Sequence, residues 1–240
     1  VTELYEGLEA TSQNHRGSLR YDLLAVNDLL SPFLAAGFYY KTFMWPRSFW
    51  ERVYEPIIRA STGLGRLSGE PDPDSYDKRF LHCEILVIGS GPSGIAAALA
   101  AGRAGARVIL ADEDYQMGGR LNSETYEVSG ETGANFVGGA LKELGSIDNV
   151  QLMPRTTVYG VYDHGIYGAL ERKTDHLPSS SDGPRQVLWR VYAKRAILCA
   201  GATERPIAFG NNDRPGVMLA GAVRAYVNRW GVVPGKKVAV

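Results

Sequence analysis

Three glycines, Gly89, Gly91 and Gly94, form a G-x-G-x-x-G pattern between an apolar run and an alanine-rich stretch. Where a strand turns into a helix, the first glycine permits the tight turn and the second lets the backbone approach a pyrophosphate. The third lets the helix pack closely on the strand. Helix amides and the positive end of the helix dipole then face the phosphates. The pattern predicts a dinucleotide-binding loop, formed by Gly89, Ser90, Gly91, Pro92, Ser93 and Gly94.

An acidic residue follows at the spacing that such a loop requires. Asp112 ends a second apolar run, close to the distance of about 20 positions at which dinucleotide folds place a ribose-binding acid. A carboxylate there accepts hydrogen bonds from ribose hydroxyls and repels a 2′-phosphate, which favours NAD or FAD over NADP. Glu113 and Asp114 come next in the sequence. Glu113 is therefore a neighbouring candidate for the ribose-binding acid.

Two further groups of small residues fit the same ligand. Gly118 and Gly119 follow the acid and let the chain pass close to a dinucleotide, and Arg120 is placed to reach a phosphate. The tripeptide 200–202, Ala-Gly-Ala, ends a later apolar run. We expect Ala200, Gly201 and Ala202 to let the cofactor lie against the backbone there.

The elements that position these residues follow from apolar periodicity. Runs at 83–88 and 107–111 flank an alanine-rich helix at 95–105, which predicts a strand–helix–strand unit with a right-handed crossover. Shorter stretches at 157–162, 166–172 and 187–193 predict an antiparallel meander, and 196–200 predicts a buried strand. The fold class is therefore α/β, a Rossmann-like dinucleotide-binding domain with a parallel sheet and a small antiparallel β-meander.

The chain divides by composition into three predicted parts. Residues 1–80 form an aromatic-rich extension that ends in a Pro- and Gly-containing linker, 81–204 the dinucleotide-binding domain with its meander at about 157–193, and 205–240 a connection followed by the first strand of a truncated second nucleotide-binding domain. The aromatic run at 38–46 has two interpretations. Its side chains pack within the protein, or they contact a partner subunit.

Composition narrows the function classes. Lys plus Arg and Asp plus Glu both number 26, so there is no general electrostatic case for nucleic acid or an anionic membrane. No apolar run reaches the length of a membrane span, about 20 residues. Cys83 and Cys199 are predicted as core residues rather than a redox pair, and the four histidines lack metal-ligand spacing. We assign no catalytic residue, expect a cytoplasmic location, and interpret the chain, which starts at Val1, as a fragment.

Three longer stretches carry a specific resemblance. They are 25–33 (AVNDLLSPF), 37–46 (GFYYKTFMWP) and 212–222 (NDRPGVMLAGA). Together with the glycine pattern, the acid and the meander, they resemble the alpha subunits of heterotetrameric sarcosine oxidases, members of the two-dinucleotide-binding flavoprotein superfamily. The resemblance covers essentially the whole chain.

The resemblance implies an activity that this chain shares with other polypeptides. Such enzymes oxidatively demethylate sarcosine to glycine, form hydrogen peroxide and pass the one-carbon unit to tetrahydrofolate. It implies beta, gamma and delta subunits as partners, NAD in the alpha subunit, FMN at the alpha–beta interface and a folate-binding region in the C-terminal part of alpha. It carries over Gly89, Gly91, Gly94, Asp112, Gly118, Gly119 and Gly201 as dinucleotide contacts, with Val158 as a backbone contact for adenine.

Other functions fit the glycine pattern alone. A self-contained FAD-dependent NADH oxidoreductase needs the same loop. A related amine-oxidising or cyanide-forming dehydrogenase subunit shares this domain and carries a different C-terminal region. FAD is therefore the alternative to NAD as the bound dinucleotide.

Overall fold

The computed structural model describes residues 8, 15–18, 20–33, 37, 43–62, 69–177, 182–212, 214 and 216–237. The chain forms two compact units, one of residues 4–73 and one that contains residues 74–240. The larger unit carries the sheet and every residue of the predicted dinucleotide site.

The described residues of the smaller unit include several short helical segments. Its α-helices are α1 (Val26–Leu29) and α2 (Glu55–Ser61), accompanied by 3-10 turns at Leu23–Ala25 and Ser31–Phe33 and a π-helical turn at Trp50–Tyr54. Phe43 and Phe49 pack their rings against Tyr54, at centroid distances of 5.0 and 6.1 Å. Trp45 remains 83% exposed. Residues 38–42 of the predicted aromatic run lie outside the described residues.

The larger unit is built on one six-stranded sheet with the strand order β5-β2-β1-β8-β7-β6. Strands β5, β2, β1 and β8 pair in parallel, and β8, β7 and β6 pair antiparallel. The strands are β1 (Tyr76–Ile88), β2 (Val108–Ala111), β5 (Val150–Met153), β6 (Thr156–Tyr162), β7 (Ile166–Arg172) and β8 (Gln186–Leu198), and β3 (Glu127–Val128) and β4 (Glu131–Thr132) form a separate hairpin. The predicted combination of a parallel sheet with an antiparallel extension is confirmed.

Two helices cover one face of the parallel strands. Helix α3 (Pro92–Arg103) connects β1 to β2, and α4 (Gly133–Ser146) precedes β5. Their buried residues, such as Ile95 and Leu144, form one core with Val87 and Leu110 of the sheet. A second core contains residues of the antiparallel strands together with other residues of β1, β2 and β5. All four residues of β2 are buried, as expected for a parallel strand covered on both faces.

Strands β1 and β8 are longer than predicted, at 13 residues each, and pair with each other from Tyr76↔Gln186 to Ile88↔Leu198. The stretches predicted as separate strands at 187–193 and 196–200 are therefore one strand. The polar residues Lys194 and Arg195 interrupt the apolar pattern, but both are exposed residues within a continuous strand. Likewise, the first half of β1 mixes polar and apolar residues, which concealed it from a search for apolar runs.

The end of β8 also differs from expectation. The strand ends at Leu198, which is 77% exposed, so Cys199 and Ala200 lie beyond it and Cys199 is only half-buried. Cys83 is buried as predicted, and burial raises the pKa of its thiol to about 11. After β8 the chain forms a short helix α5 (Ala220–Arg224) that continues into a π-helical turn at Ala225–Arg229. The predicted strand at 236–240 falls mainly on residues outside those described.

Two features are absent from the described part of the chain. None of its helices combines the length and the apolar character needed to cross a bilayer. It also contains no group of three or more His, Cys, Asp or Glu side chains placed to hold a metal ion.

Candidate dinucleotide-binding site

The loop between β1 and α3 is held by very close backbone contacts. Gly89 has φ of +100°, and a Cβ there would lie 2.4 Å from the carbonyl oxygen of Cys199. A Cβ at Gly94 would lie 1.8 Å from the carbonyl oxygen of Gly89. Since real Cβ atoms do not approach so closely, both positions require glycine in this conformation.

Gly91 differs, because a Cβ there would meet nothing within 4 Å. It is the N-cap residue of α3, and no side chain caps that helix end. The first amides of a helix have no partner within the helix, and the helix dipole adds positive potential at this end. Open space and available amides together fit the pyrophosphate of a dinucleotide.

The second glycine pair packs directly on the first loop. Gly118 and Gly119 have φ of +127° and +56°, and a Cβ on Gly119 would lie 2.8 Å from the Cα of Gly91. On the other side, Gly89 lies against the backbone of Cys199 and Ala200. We call this backbone, residues 89–94, 118–119 and 199–201, the glycine cradle.

A buried hydrogen-bond network joins the cradle to the predicted ribose acid. Asp112 Oδ2 accepts hydrogen bonds from the Ser90 amide at 2.6 Å and from Ser90 Oγ at 2.7 Å. Ser90 Oγ in turn accepts from the amide of Gly118 at 3.0 Å, and Asp112 Oδ1 accepts from the amide of Asp114 at 2.9 Å. Ser90 is fully buried and Asp112 is half-buried. The carboxylate is thus held in one orientation at the edge of the cradle.

The loop after Asp112 is anchored from a distant part of the sequence. Arg229 donates to both carboxylate oxygens of Asp114, at 2.6 and 2.8 Å. Its guanidinium also lies over the rings of Tyr115 and Trp230, 5.2 and 4.6 Å from their centroids. Burial alone raises the pKa of Asp114, but the hydrogen bonds from Arg229 and nearby amides outweigh it, and the pKa lies below its ordinary value. The pair is therefore ionised at neutral pH.

Arg120 has two carboxylate neighbours. Its guanidinium lies 3.5 Å from a carboxylate oxygen of Glu204 and 3.9 Å from one of Glu124. Glu204 also accepts a hydrogen bond from the amide of Gly221 at the start of α5. The Arg120 side chain is 52% exposed and both ion pairs are long. A contact between Arg120 and a phosphate therefore stays a prediction.

The remaining predicted residues surround the cradle at different depths. Ala200, Gly201 and Ala202 are exposed and follow Cys199, whose amide donates to Ile88 and so continues the pairing of β8 with β1. Pro92, Ser93 and Glu113 are also exposed, and the Glu113 carbonyl accepts from the Arg172 guanidinium. Val158 lies on β6. At the start of that strand, the amide of Thr156 donates a hydrogen bond to the carbonyl of Asp112 at 2.7 Å. That bond places the start of β6 beside Asp112, the predicted ribose acid.

Several contributors were missed by the sequence analysis. Arg229, Tyr115 and Glu204 shape the surroundings of the cradle, and no local pattern marks them. Two cavities among the described residues lie away from the cradle. One, of about 260 Å³, is lined by Lys78, Arg79, Phe80, Leu188 and Arg190, and another, of about 170 Å³, lies near Arg107 and Asn149. Neither cavity is lined by a residue of the glycine cradle.

The comparisons with known proteins agree with the fold. The family model for FAD dependent oxidoreductases matches residues 84–146, from β1 through α4. Among solved structures, L-proline dehydrogenase from P. horikoshii superposes with a TM-score of 0.54 at 24% identity, covering 70% of this chain and 32% of that one. The fold and the site define the class, a Rossmann-like dinucleotide-binding part of an oxidoreductase.

The curated relatives are more specific. Sarcosine oxidase subunit alpha of Rhizobium meliloti (strain 1021) is 56% identical over 100% of this chain and 24% of its own length. The subunit alpha of Corynebacterium sp. (strain U-96) is 44% identical over 75% of this chain and 19% of its own length. The chain spans about a quarter or less of these relatives. It is homologous, over that segment, to sarcosine oxidase subunit alpha, and the resemblance seen in the sequence is confirmed.

Proposed function

We propose that this chain is the part of a sarcosine oxidase alpha subunit that holds NAD. The observation that carries the proposal is the glycine cradle, with the oriented carboxylate of Asp112 beside it, in a chain 56% identical to such a subunit. The whole protein then takes part in the oxidative demethylation of sarcosine to glycine, with transfer of the one-carbon unit to tetrahydrofolate and formation of hydrogen peroxide.

The roles proposed for the residues follow from their places in the cradle. Gly91 and Gly119 leave room for the pyrophosphate, and the α3 amides neutralise part of its charge. Asp112 accepts a hydrogen bond from the adenosine ribose and disfavours a 2′-phosphate. Val158 offers backbone groups to the adenine, and Gly201 lets the far half of the dinucleotide pass over the end of β8.

The other components of the reaction are proposed to lie outside this chain. We place beta, gamma and delta subunits with the alpha subunit in a cytoplasmic heterotetramer, with FMN at the alpha–beta interface and folate bound in the C-terminal part of alpha. When bound, the flavins supply the redox chemistry. In this proposal the residues of the chain bind and orient the dinucleotide and carry no catalytic step.

FAD is the second candidate for the cradle, because the family model that matches residues 84–146 describes FAD dependent oxidoreductases. Both nucleotides contain the adenosine diphosphate group that the cradle fits. NAD and FAD differ in the half of the nucleotide that lies beyond this group.

The deciding experiment uses the intact protein that contains this chain. After purification and denaturation, the released nucleotides are separated and identified by absorbance and mass. We expect one NAD for each alpha subunit. In a Gly91→Ala variant the NAD is lost, while nucleotides bound elsewhere stay. NAD absent from the wild type, or FAD lost instead of NAD in the variant, contradicts the proposal.

A further inference from the structure

Ser90 lies inside the G-x-G-x-x-G pattern, and its side chain lies in the interior of the protein. The residue is 0% exposed, so its hydroxyl does not reach the open space beside Gly91. Instead, the hydroxyl donates to Asp112 and accepts from the amide of Gly118. One buried atom therefore connects the glycine loop, the end of β2 and the second glycine turn.

This arrangement limits what the Asp112 carboxylate can accept. An ionised carboxylate has about four acceptor sites on its two oxygens. Oδ2 receives the amide and the hydroxyl of Ser90, and Oδ1 receives the amide of Asp114. One acceptor site remains, on Oδ1. The carboxylate is thus prepared to receive a single ribose hydroxyl rather than both.

We infer that Ser90 is a positioning residue that fixes Asp112 so that it recognises one hydroxyl of the adenosine ribose. The inference rests on the proposed dinucleotide function and adds the origin of its ribose specificity. Without the Ser90 hydroxyl, Oδ2 keeps the amide of residue 90 but regains a free acceptor site, so either carboxylate oxygen can receive a ribose hydroxyl. The amide of Gly118 also loses its acceptor, although that residue is buried. Both changes remove the distinction between the two hydroxyls.

The test measures binding of ADP, 2′-deoxy-ADP and 3′-deoxy-ADP to the intact protein after its nucleotide has been removed. ADP is used because NAD and FAD share it, so the result does not depend on which of them is bound. In the wild type we expect one deoxy nucleotide to bind about tenfold more weakly than ADP, as for a lost hydrogen bond to a charged group, and the other within about twofold.

Ser90→Ala should bring the affinities of the two deoxy nucleotides within about twofold of each other, as should Asp112→Asn. Ser146→Ala is the matched control, since it deletes a hydroxyl that bonds only the carbonyl of Glu143 at the end of α4. It should keep the wild-type ratios. A general loss of structure would weaken all three nucleotides equally and leave their ratios unchanged. If Ser90→Ala does not fold, Ser90→Cys, a near-isosteric variant with a weaker donor, should show a reduced ratio.

Two results overturn the inference. One is a Ser90 variant that folds and keeps the wild-type discrimination. The other is a wild type in which both deoxy nucleotides are weakened, because that requires two acceptor sites on Asp112. If the wild type does not bind ADP at all, the proposed function fails instead, so the two failures are distinguishable.

Discussion

The glycine cradle and the carboxyl-terminal segment, residues 205–237, are stabilised in different ways. In the cradle, backbone meets backbone, and a single added methyl group at Gly94 would collide with a carbonyl oxygen at 1.8 Å. The carboxyl-terminal segment is attached through side chains, with Arg224 pairing with Glu124, Asn228 bonding Ser123 and Arg229 pairing with Asp114. At Gly89 and Gly94 the first region has no room for a side chain, whereas the second region depends on charge and therefore on pH.

The largest expected effect comes from filling the tightest contact of the cradle. Gly94→Ala should destabilise the fold by about 3 kcal/mol or more, because the new Cβ meets backbone that cannot move aside. Thermal unfolding and nucleotide content measure the effect. The matched control is Gly139→Ala on the exposed face of α4, where a Cβ meets nothing within 4 Å. It should stabilise by about 0.5–1 kcal/mol, and equal effects of the two variants would contradict the cradle.

Filling the open part of the cradle should separate binding from folding. Gly91→Ala adds a methyl group where the structure has free space, so the unfolding temperature should stay near that of the ligand-free wild type. Nucleotide affinity should fall at least tenfold, about 1.4 kcal/mol, because the methyl group occupies the place of the pyrophosphate. Calorimetric titration of the stripped protein measures it. Unchanged affinity would show that the ligand does not approach Gly91.

Breaking the main side-chain anchor should have a smaller effect. Arg229→Ala leaves the partly buried carboxylate of Asp114 without its bidentate partner and should cost about 1–3 kcal/mol in unfolding free energy. Arg229→Lys keeps the charge but not the two parallel bonds and should recover only part of the loss. Denaturant unfolding measures both variants. A full recovery by lysine would mean that charge alone matters here.

The same pair predicts a dependence on acid. Since the pKa of Asp114 in the folded protein lies below its ordinary value of 3.8, the pair contributes its full stability above that value. The contribution is lost as the pH falls through the folded pKa. The difference in stability between the wild type and Arg229→Ala should therefore be constant from pH 6 to 8, within about 0.5 kcal/mol, and should shrink below about pH 3.8. A difference that grows on acidification contradicts this assignment.

The smallest effect is expected at the surface pair between Arg103 and Glu143, whose side chains are 60% and 41% exposed. Although it joins α3 to α4 with two short hydrogen bonds, solvent and salt screen such pairs. Arg103→Ala should leave the unfolding midpoint almost unchanged in 1 M salt. A large loss there would show that helix packing depends on this pair.

The parts of the site that could be predicted from the sequence are those that belong to local patterns. Gly89, Gly91, Gly94 and Asp112 are close in sequence, and each has a separate steric or chemical requirement that limits the residue type. Strands β6 and β7 were also predicted nearly to the residue, because alternation of apolar side chains is a local signal. The role of Ser90 was hidden, since its position in the pattern accepts many residue types and only its burial and its hydrogen bonds indicate that role.

The parts that could not be predicted depend on contacts between distant residues. Asp114 and Arg229 are 115 positions apart in the sequence. Arg120 and Glu204 are also distant in the sequence, and only the fold brings them together. Strand β8 passes through Lys194 and Arg195 because β1 pairs with it on both sides of Lys194, up to Cys83↔Ala193 and again from Ile85↔Arg195. A search for apolar runs could not detect that support.

The continuous pairing of β1 with β8 also has a consequence for the dynamics of the molecule. Strand β8 pairs with β7 along residues 186–192, and the carboxyl-terminal part of β1 pairs with β2, so the β1–β8 ladder joins the antiparallel and the parallel strands into one sheet. Amide hydrogen exchange should therefore show slow, cooperative opening across both parts, as for one folding unit. Strand β8 belongs to both parts and is followed by the backbone that lies against Gly89, so exchanging the antiparallel strands together with β8 as a module would also remove one side of the cradle.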